Sequence, residues 1–95
     1  MLYLISYDVR NDDRAERYQD IDDFFTQAGA ARLLYSAWLF VSELPANDIF
    51  DRVMKAPLFG ENDGLVVMEV TSQTATTNVM IPVSEVTRLL ASARG

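Results

Sequence analysis

Asp8 is the residue whose type and position best suit it for chemistry. It ends an apolar run that starts at Leu2, so its carboxylate should point outward at the rim of a sheet. One carboxylate is a poor magnesium site, because Mg²⁺ needs near-octahedral oxygen ligation. In a symmetric dimer, two copies of Asp8 could meet near the axis and share an ion that polarises a phosphodiester and activates water. The alternative is an Asp that only caps a loop or a helix.

Three arginines follow Asp8 and form a second candidate group. Arg10, Arg14 and Arg17 could hold a phosphate at the start of the next helix. Acidic residues at positions 12, 13, 16 and 20 surround them, so a solvated helix face held by ion pairs is the alternative. Ser36 could be a polar contact in a cleft or simply a turn residue.

The composition limits which chemistry is available. The chain has no His and no Cys, which excludes a His-activated Ser nucleophile, thiolate zinc sites and disulfides. Any metal would have to be hard and oxygen-liganded, which favours Mg²⁺ or Mn²⁺. The net charge of −6 disfavours a nucleic acid or an anionic membrane as partner, since polyanions dock on basic surfaces.

The elements that position these residues follow from periodicity and breakers. The apolar run before Asp8 predicts a strand. A helix should follow, with its apolar positions three and four residues apart and Gly29 as a left-handed C-cap. Two antiparallel strands, or one kinked strand, are predicted on either side of Tyr35-Ser36, a second helix between Pro45 and Pro57, and a last strand over 65–70.

This βαββαβ order predicts an α+β, ferredoxin-like sandwich, an antiparallel sheet with two helices on one face. Residues 33–41 are apolar on both strand faces, so the face opposite the helices should be a partner surface, most simply for a homodimer. Tyr35, Trp38 and Phe40 are candidates for that interface. Trp38 and Phe40 could instead stack nucleobases or belong to the core.

The chain is expected to form a single domain. Residues 1–70 should make the ferredoxin-like core, and 71–95 a C-terminal extension of a polar loop, a short strand over 79–81 and a helix. The sequence shows no signal peptide and no apolar run long enough to span a membrane. A cytoplasmic location is therefore expected.

Two segments resemble the Cas2-like family, the small dimeric CRISPR-associated Cas2 and VapD-type proteins. Residues 1–9 (MLYLISYDV) are similar to the family's opening strand, and Gly29 followed by residues 32–38 (RLLYSAW) is similar to its Arg-x-Gln-Tyr-Ser-x-aromatic stretch. The similarity covers about residues 1–70. Leu34 stands where the family usually has Gln, the chain is acidic where Cas2 proteins are basic, and residues after Thr71 match nothing in the family.

The resemblance implies a homodimer in which the strand-end Asp, here Asp8, binds a divalent metal and supports nuclease activity. Arg14, Arg32 and Ser36 match polar positions near the family's dimer cleft. Two functional hypotheses follow. One is a metal-dependent ribonuclease or deoxyribonuclease that uses Asp8 with Arg14 and Ser36. The other is a non-catalytic dimeric interaction or scaffold module of a defence or toxin–antitoxin system.

Overall fold

A computed structural model describes residues 1–10, 14–60, 62–70 and 80–93. Within these ranges the chain is a small α+β protein, as predicted, with a four-stranded antiparallel sheet and three helices. In chain order the elements are β1 (Leu2–Asp8), α1 (Arg14–Gln27), β2 (Ala31–Leu34), β3 (Ala37–Val41), α2 (Ala46–Lys55), β4 (Gly64–Val70) and α3 (Val83–Ala93). None of these helices is long and apolar enough to cross a membrane.

The strand order across the sheet is β2-β3-β1-β4. β1 is therefore flanked on both sides: Ile5 lies opposite Trp38 of β3 and opposite Val67 of β4. β1 is almost continuously apolar because it contributes residues to two buried clusters, one on each face of the sheet. β2 and β4 are the edge strands.

The larger core lies between the sheet and the first two helices. Odd-numbered residues of β1, from Tyr3 to Tyr7, face Ile21 and Phe25 of α1, and Ile49 and Val53 of α2 pack into the same cluster. Alternating side chains of a strand point to opposite faces, so this side of the sheet is what the two helices bury. We call it the helix-side face.

The opposite face carries a third helix, which the sequence analysis did not place there. Val86 of α3 is buried against Leu2 of β1 and Leu39 of β3, with Leu89 and Leu90 packed beside them. The expectation of a sheet face left open to a partner is therefore wrong for this part of the sheet. The amphipathic C-terminal segment supplies within the chain the cover that we assigned to a second copy.

Local signals located most element boundaries correctly. The chain turns at Tyr35-Ser36 between β2 and β3, and α2 begins after Pro45 and ends before Pro57. Gly29 has a φ of +83°, the left-handed conformation that favours glycine at the end of a helix.

The register of β2 and the start of the C-terminal extension differ from what the sequence predicted. Strict alternation along residues 33–41 would put Leu34 on the same sheet face as Trp38. Leu34 instead lies opposite Ala37, because an irregularity between Arg32 and Leu34 shifts the register. Of the predicted fifth strand, Met80 and Ile81 form a bend instead, and Val79, like the polar run 71–78, lies outside the described residues.

Candidate functional site

Asp8 lies at the end of β1, at the rim of the sheet, as its position after an apolar run predicted. Its side chain is 62% exposed, and its Oδ2 accepts a hydrogen bond of 3.0 Å from Arg10 Nε. It borders an open cleft of about 290 Å³ that is also lined by Ser6, Gly64 and Val66. Gly64 lies directly opposite Asp8 in β4, and a Cβ added there would come within 3.6 Å of Asp8 Cβ.

The described residues of one chain do not fit a magnesium or manganese ion at Asp8. Nowhere in residues 1–10, 14–60, 62–70 and 80–93 do three or more His, Cys, Asp or Glu side chains group as metal ligands would. The Asp8 carboxylate is moreover already paired with a cation. A single carboxylate engaged by an arginine does not provide the oxygen ligands that either ion requires.

A second ion pair lies beside the Asp8 pair and was not predicted. Asp63, in the loop before β4, accepts hydrogen bonds from the Arg17 guanidinium, from Gly60 N (2.7 Å) and from Arg10 N (3.0 Å). The Asp63 side chain is only 1% exposed. These donors, above all Arg17, hold the pKa of the Asp63 carboxyl well below its usual range, although burial alone would raise it.

The ion pair with Asp63 gives Arg17 a structural role. Arg17 also donates a 2.8 Å hydrogen bond to the carbonyl of Leu58, so its guanidinium ties α1 to the segment that leads into β4. Arg10 pairs with Asp8. Arg10 and Arg17 are thus each paired with a carboxylate. The partner of Arg17 is Asp63, which is distant in sequence and is not one of the neighbouring acidic residues that the sequence suggested. The Arg14 side chain lies outside the described residues.

Ser36 lies close to the end of β1 through its backbone. Its carbonyl accepts a 3.1 Å hydrogen bond from Tyr7 N, next to Asp8, and the residue occupies the turn between β2 and β3. Arg32, on β2, forms a 3.0 Å ion pair with Asp22 of α1 and donates to the carbonyl of Tyr35 at 2.7 Å. Its guanidinium lies over the ring of Tyr35, 5.2 Å from the centroid.

The three interface candidates have different environments. Trp38 is buried on the helix-side face, where its ring stacks on Phe25 and its Nε1 donates a 3.0 Å hydrogen bond to the Tyr7 hydroxyl. Burial raises the pKa of Tyr7 to about 12, so that hydroxyl stays protonated at any physiological pH. Phe40 is half-buried on the same face. Of the three, Tyr35 presents a largely exposed ring.

An exposed apolar surface lies on the edge strand β4 instead. Val66 and Met68 are exposed, the latter at 53%, on the sheet face that carries α3. The residues opposite them on β1 are Ser6 and Leu4. No motif singled out this surface, although the run of six apolar or acidic residues after Gly64 is a plain strand signal. Among the described strands, β4 pairs only with β1, so its other backbone edge has no described partner strand. We call Val66, Met68 and this outer backbone edge of β4 the β4 edge surface.

Comparisons with known proteins do not assign the chain to a family: no family model matches it, and no curated protein or solved structure is significantly similar to it.

Proposed function

We propose that the chain is a homodimeric interaction module built on a ferredoxin-like scaffold of the Cas2-like type, and that it joins its copies through the β4 edge surface. The observation that carries this proposal is that Met68 and Val66 are exposed beside a strand edge that pairs with no other described strand. Non-catalytic assembly, rather than hydrolysis, is then its primary role.

The arrangement of the sheet supports the scaffold part of the proposal. Two split βαβ units place β1 and β3 in the centre and β2 and β4 at the edges, and the order β2-β3-β1-β4 has that arrangement. α1 and α2 both pack on the helix-side face. The third helix is then an addition on the other face, beside which Val66 and Met68 of β4 stay exposed.

The composition of β4 supports the assembly part. Natural edge strands are commonly protected from further pairing by lysine, proline or a short length. β4 is seven residues long, has neither lysine nor proline, and carries Glu69 as its one charged residue. A second copy is the occupant that fits best, because an antiparallel pair of two β4 strands forms a symmetric interface in which both copies use the same surface.

Sedimentation of matched methionine variants tests the interface. The wild type should sediment as a dimer at micromolar concentration. Met68→Lys should shift it to a monomer, because the substitution places a charge on the paired surface. Met54→Lys is the control, since Met54 is also exposed, at 39%, but lies on α2. A wild-type monomer, or equal dissociation of both variants, would refute the proposed interface.

A metal-dependent nuclease is the second candidate, and the exposure of Asp8 beside an open cleft favours it. This function would require the Asp8 residues of two copies, because the described residues of one chain do not fit the metal. A dimer carries a net charge of −12, twice −6, so binding to duplex DNA should be weak at physiological salt.

The nuclease hypothesis predicts slow hydrolysis of RNA or DNA that depends on Mg²⁺ or Mn²⁺. Asp8→Asn should abolish cleavage, whereas Asp51→Asn, an exposed carboxylate on α2, should leave cleavage unchanged. Cleavage that survives Asp8→Asn would exclude Asp8 as the site. Dimerisation without any cleavage would leave the assembly role as the function.

A further inference from the structure

A cavity of about 380 Å³ opens on the helix-side face, between α1, α2 and the sheet. Its walls are nearly all apolar and include Ile5, Phe24, Phe25, Phe40, Ile49 and Val53. Small-molecule sites in proteins span about 300–1,000 Å³ and are mostly lined by apolar and aromatic side chains with a few polar groups. The cavity has the size and lining of a site for a small apolar ligand, and it shares no described lining residue with the Asp8 cleft.

The one charged side chain among the described lining residues is a cation, Arg52 of α2. This is notable in a chain with 14 acidic and 8 basic residues. Arg52 is exposed, and it forms no ion pair within the described part of the chain. Its guanidinium is therefore available to a ligand, unlike those of Arg10 and Arg32.

Ser42 supplies a second polar group to the cavity wall. Its Oγ accepts a 3.1 Å hydrogen bond from Leu44 N, which leaves the hydroxyl proton available for donation. A carboxylate accepts hydrogen bonds readily from both a guanidinium and a hydroxyl, and the bond to Arg is charge-assisted. An ammonium group would be repelled by Arg52.

We propose that this cavity binds a small carboxylic acid with an apolar chain, the chain lying between α1 and α2 and the carboxylate at Arg52. The apolar walls select the body of the ligand by removing it from water. Arg52 selects the sign of the head group. This binding is separate from the dimer contact, since β4 residues do not contribute to the described lining.

Sodium decanoate is the probe, with decylammonium and decan-1-ol as matched ligands of the same chain length. Binding is followed by the methyl NMR shifts of Ile49 and Val53, with Val66 as a reference outside the cavity. Decanoate should bind with a dissociation constant of about 2 mM, the affinity expected for a ligand with about 12 non-hydrogen atoms. Decylammonium should bind at least about tenfold more weakly, because it lacks the charge-assisted bond to Arg52.

Three variants separate the charge from the cavity. Arg52→Gln should weaken decanoate binding about tenfold and change decan-1-ol binding less than about twofold. Lys55→Gln removes an exposed cation of the same helix that does not line the cavity, and should leave both unchanged. Ala28 is an exposed lining residue that directly follows α1, so Ala28→Trp should fill the cavity and abolish binding of both ligands.

Several results would overturn this assignment. Equal affinity for decanoate and decylammonium, or no effect of Arg52→Gln on decanoate, would remove Arg52 as the selecting group. Shifts at Val66 rather than at Ile49 and Val53 would place the ligand outside the cavity. No shift at any concentration below that at which decanoate itself associates would show that the cavity does not bind such acids. Sedimentation of the same samples keeps this outcome distinct from a failure to dimerise.

Discussion

Two Arg–Asp ion pairs lie side by side at the end of β1, and they differ in their access to water. Arg10 and Asp8 meet on the surface, where both side chains are mostly exposed, whereas Asp63 is almost completely buried against Arg17. The pairs are linked, because Arg10 N donates to Asp63 Oδ1 at 3.0 Å. Arg–Asp pairs therefore occur in both a water-exposed and a buried environment within one small region.

The difference separates a structural carboxylate from one that is available for chemistry. At the surface, water and salt screen the attraction of Arg10 for Asp8, so a ligand could replace Arg10 with little loss of stability. Asp63 has lost its hydration and depends on Arg17 and on two backbone N–H groups instead. A buried carboxylate with this many protein donors is fixed in place, and it connects α1, the segment before β4 and the end of β1.

The largest expected effect is the loss of the buried charge. Asp63→Asn should lower the free energy of unfolding by about 3–5 kcal/mol, because Arg17 would keep a buried charge without its carboxylate. Urea denaturation monitored by circular dichroism measures this change. A loss below about 1 kcal/mol would mean that the Asp63 pair is as weak as a surface pair.

The pH dependence of stability tests the same pair in the unmodified protein. The pKa of Asp63 is lower in the folded chain than in the unfolded chain, so its contribution to stability is present above the unfolded value of about 4 and is lost as the pH falls below it. The free energy of unfolding should decline from about pH 5 toward pH 2. In Asp63→Asn this decline should be shallower, and an identical slope in both proteins would contradict the assignment.

A pair of intermediate exposure should give an intermediate effect. Asp22 and Arg32 link α1 to β2 at 3.0 Å, and the Asp22 side chain is 24% exposed. Asp22→Asn should cost about 1.5 kcal/mol, the scale of one hydrogen bond to a charged group. If Asp22→Asn and Asp63→Asn lost the same free energy of unfolding in urea, burial would not determine how much each ion pair stabilises the fold.

The smallest effect is expected at the surface pair. Asp8→Asn should change the free energy of unfolding by less than about 1 kcal/mol, and the change should shrink further in high salt because the charges are screened. Denaturation at low and high salt gives both values. A loss above about 2 kcal/mol would mean that Asp8 has a structural role, which would weaken its candidacy for the nuclease function.

Most of the fold could be predicted because its signals are local. Gly29 ends the first helix region through its positive φ, and Pro45 and Pro57 bracket α2. Asp8 at the rim of the sheet followed from the apolar run before it. Each of these outcomes depends on backbone preferences or periodicity within a few residues, so tertiary context has little opportunity to change them.

The candidate site was less predictable because its contacts join distant segments. Arg17 and Asp63 are 46 residues apart, and nothing in a turn sequence such as Asn62-Asp63-Gly64 indicates which cation its carboxylate will meet. The cavity at Arg52 also needs two helices and the sheet to be in place before it exists. Only a folded chain brings these groups together.

The sequence by itself determined the class of the protein, the order of its elements up to β4, and the strand end that carries Asp8. Tertiary structure alone decided which sheet face α3 covers, which arginine is buried, and where apolar surface remains on β4. The physical reason is that periodicity specifies which side of a helix or strand is apolar, but not which surface that side packs against. Hydrophobic attraction is not directional, so the packing partner depends on the arrangement of the whole chain. The apolar side of α3 that carries Val86 could pack against any apolar surface, and in the folded chain Val86 packs against Leu2 and Leu39.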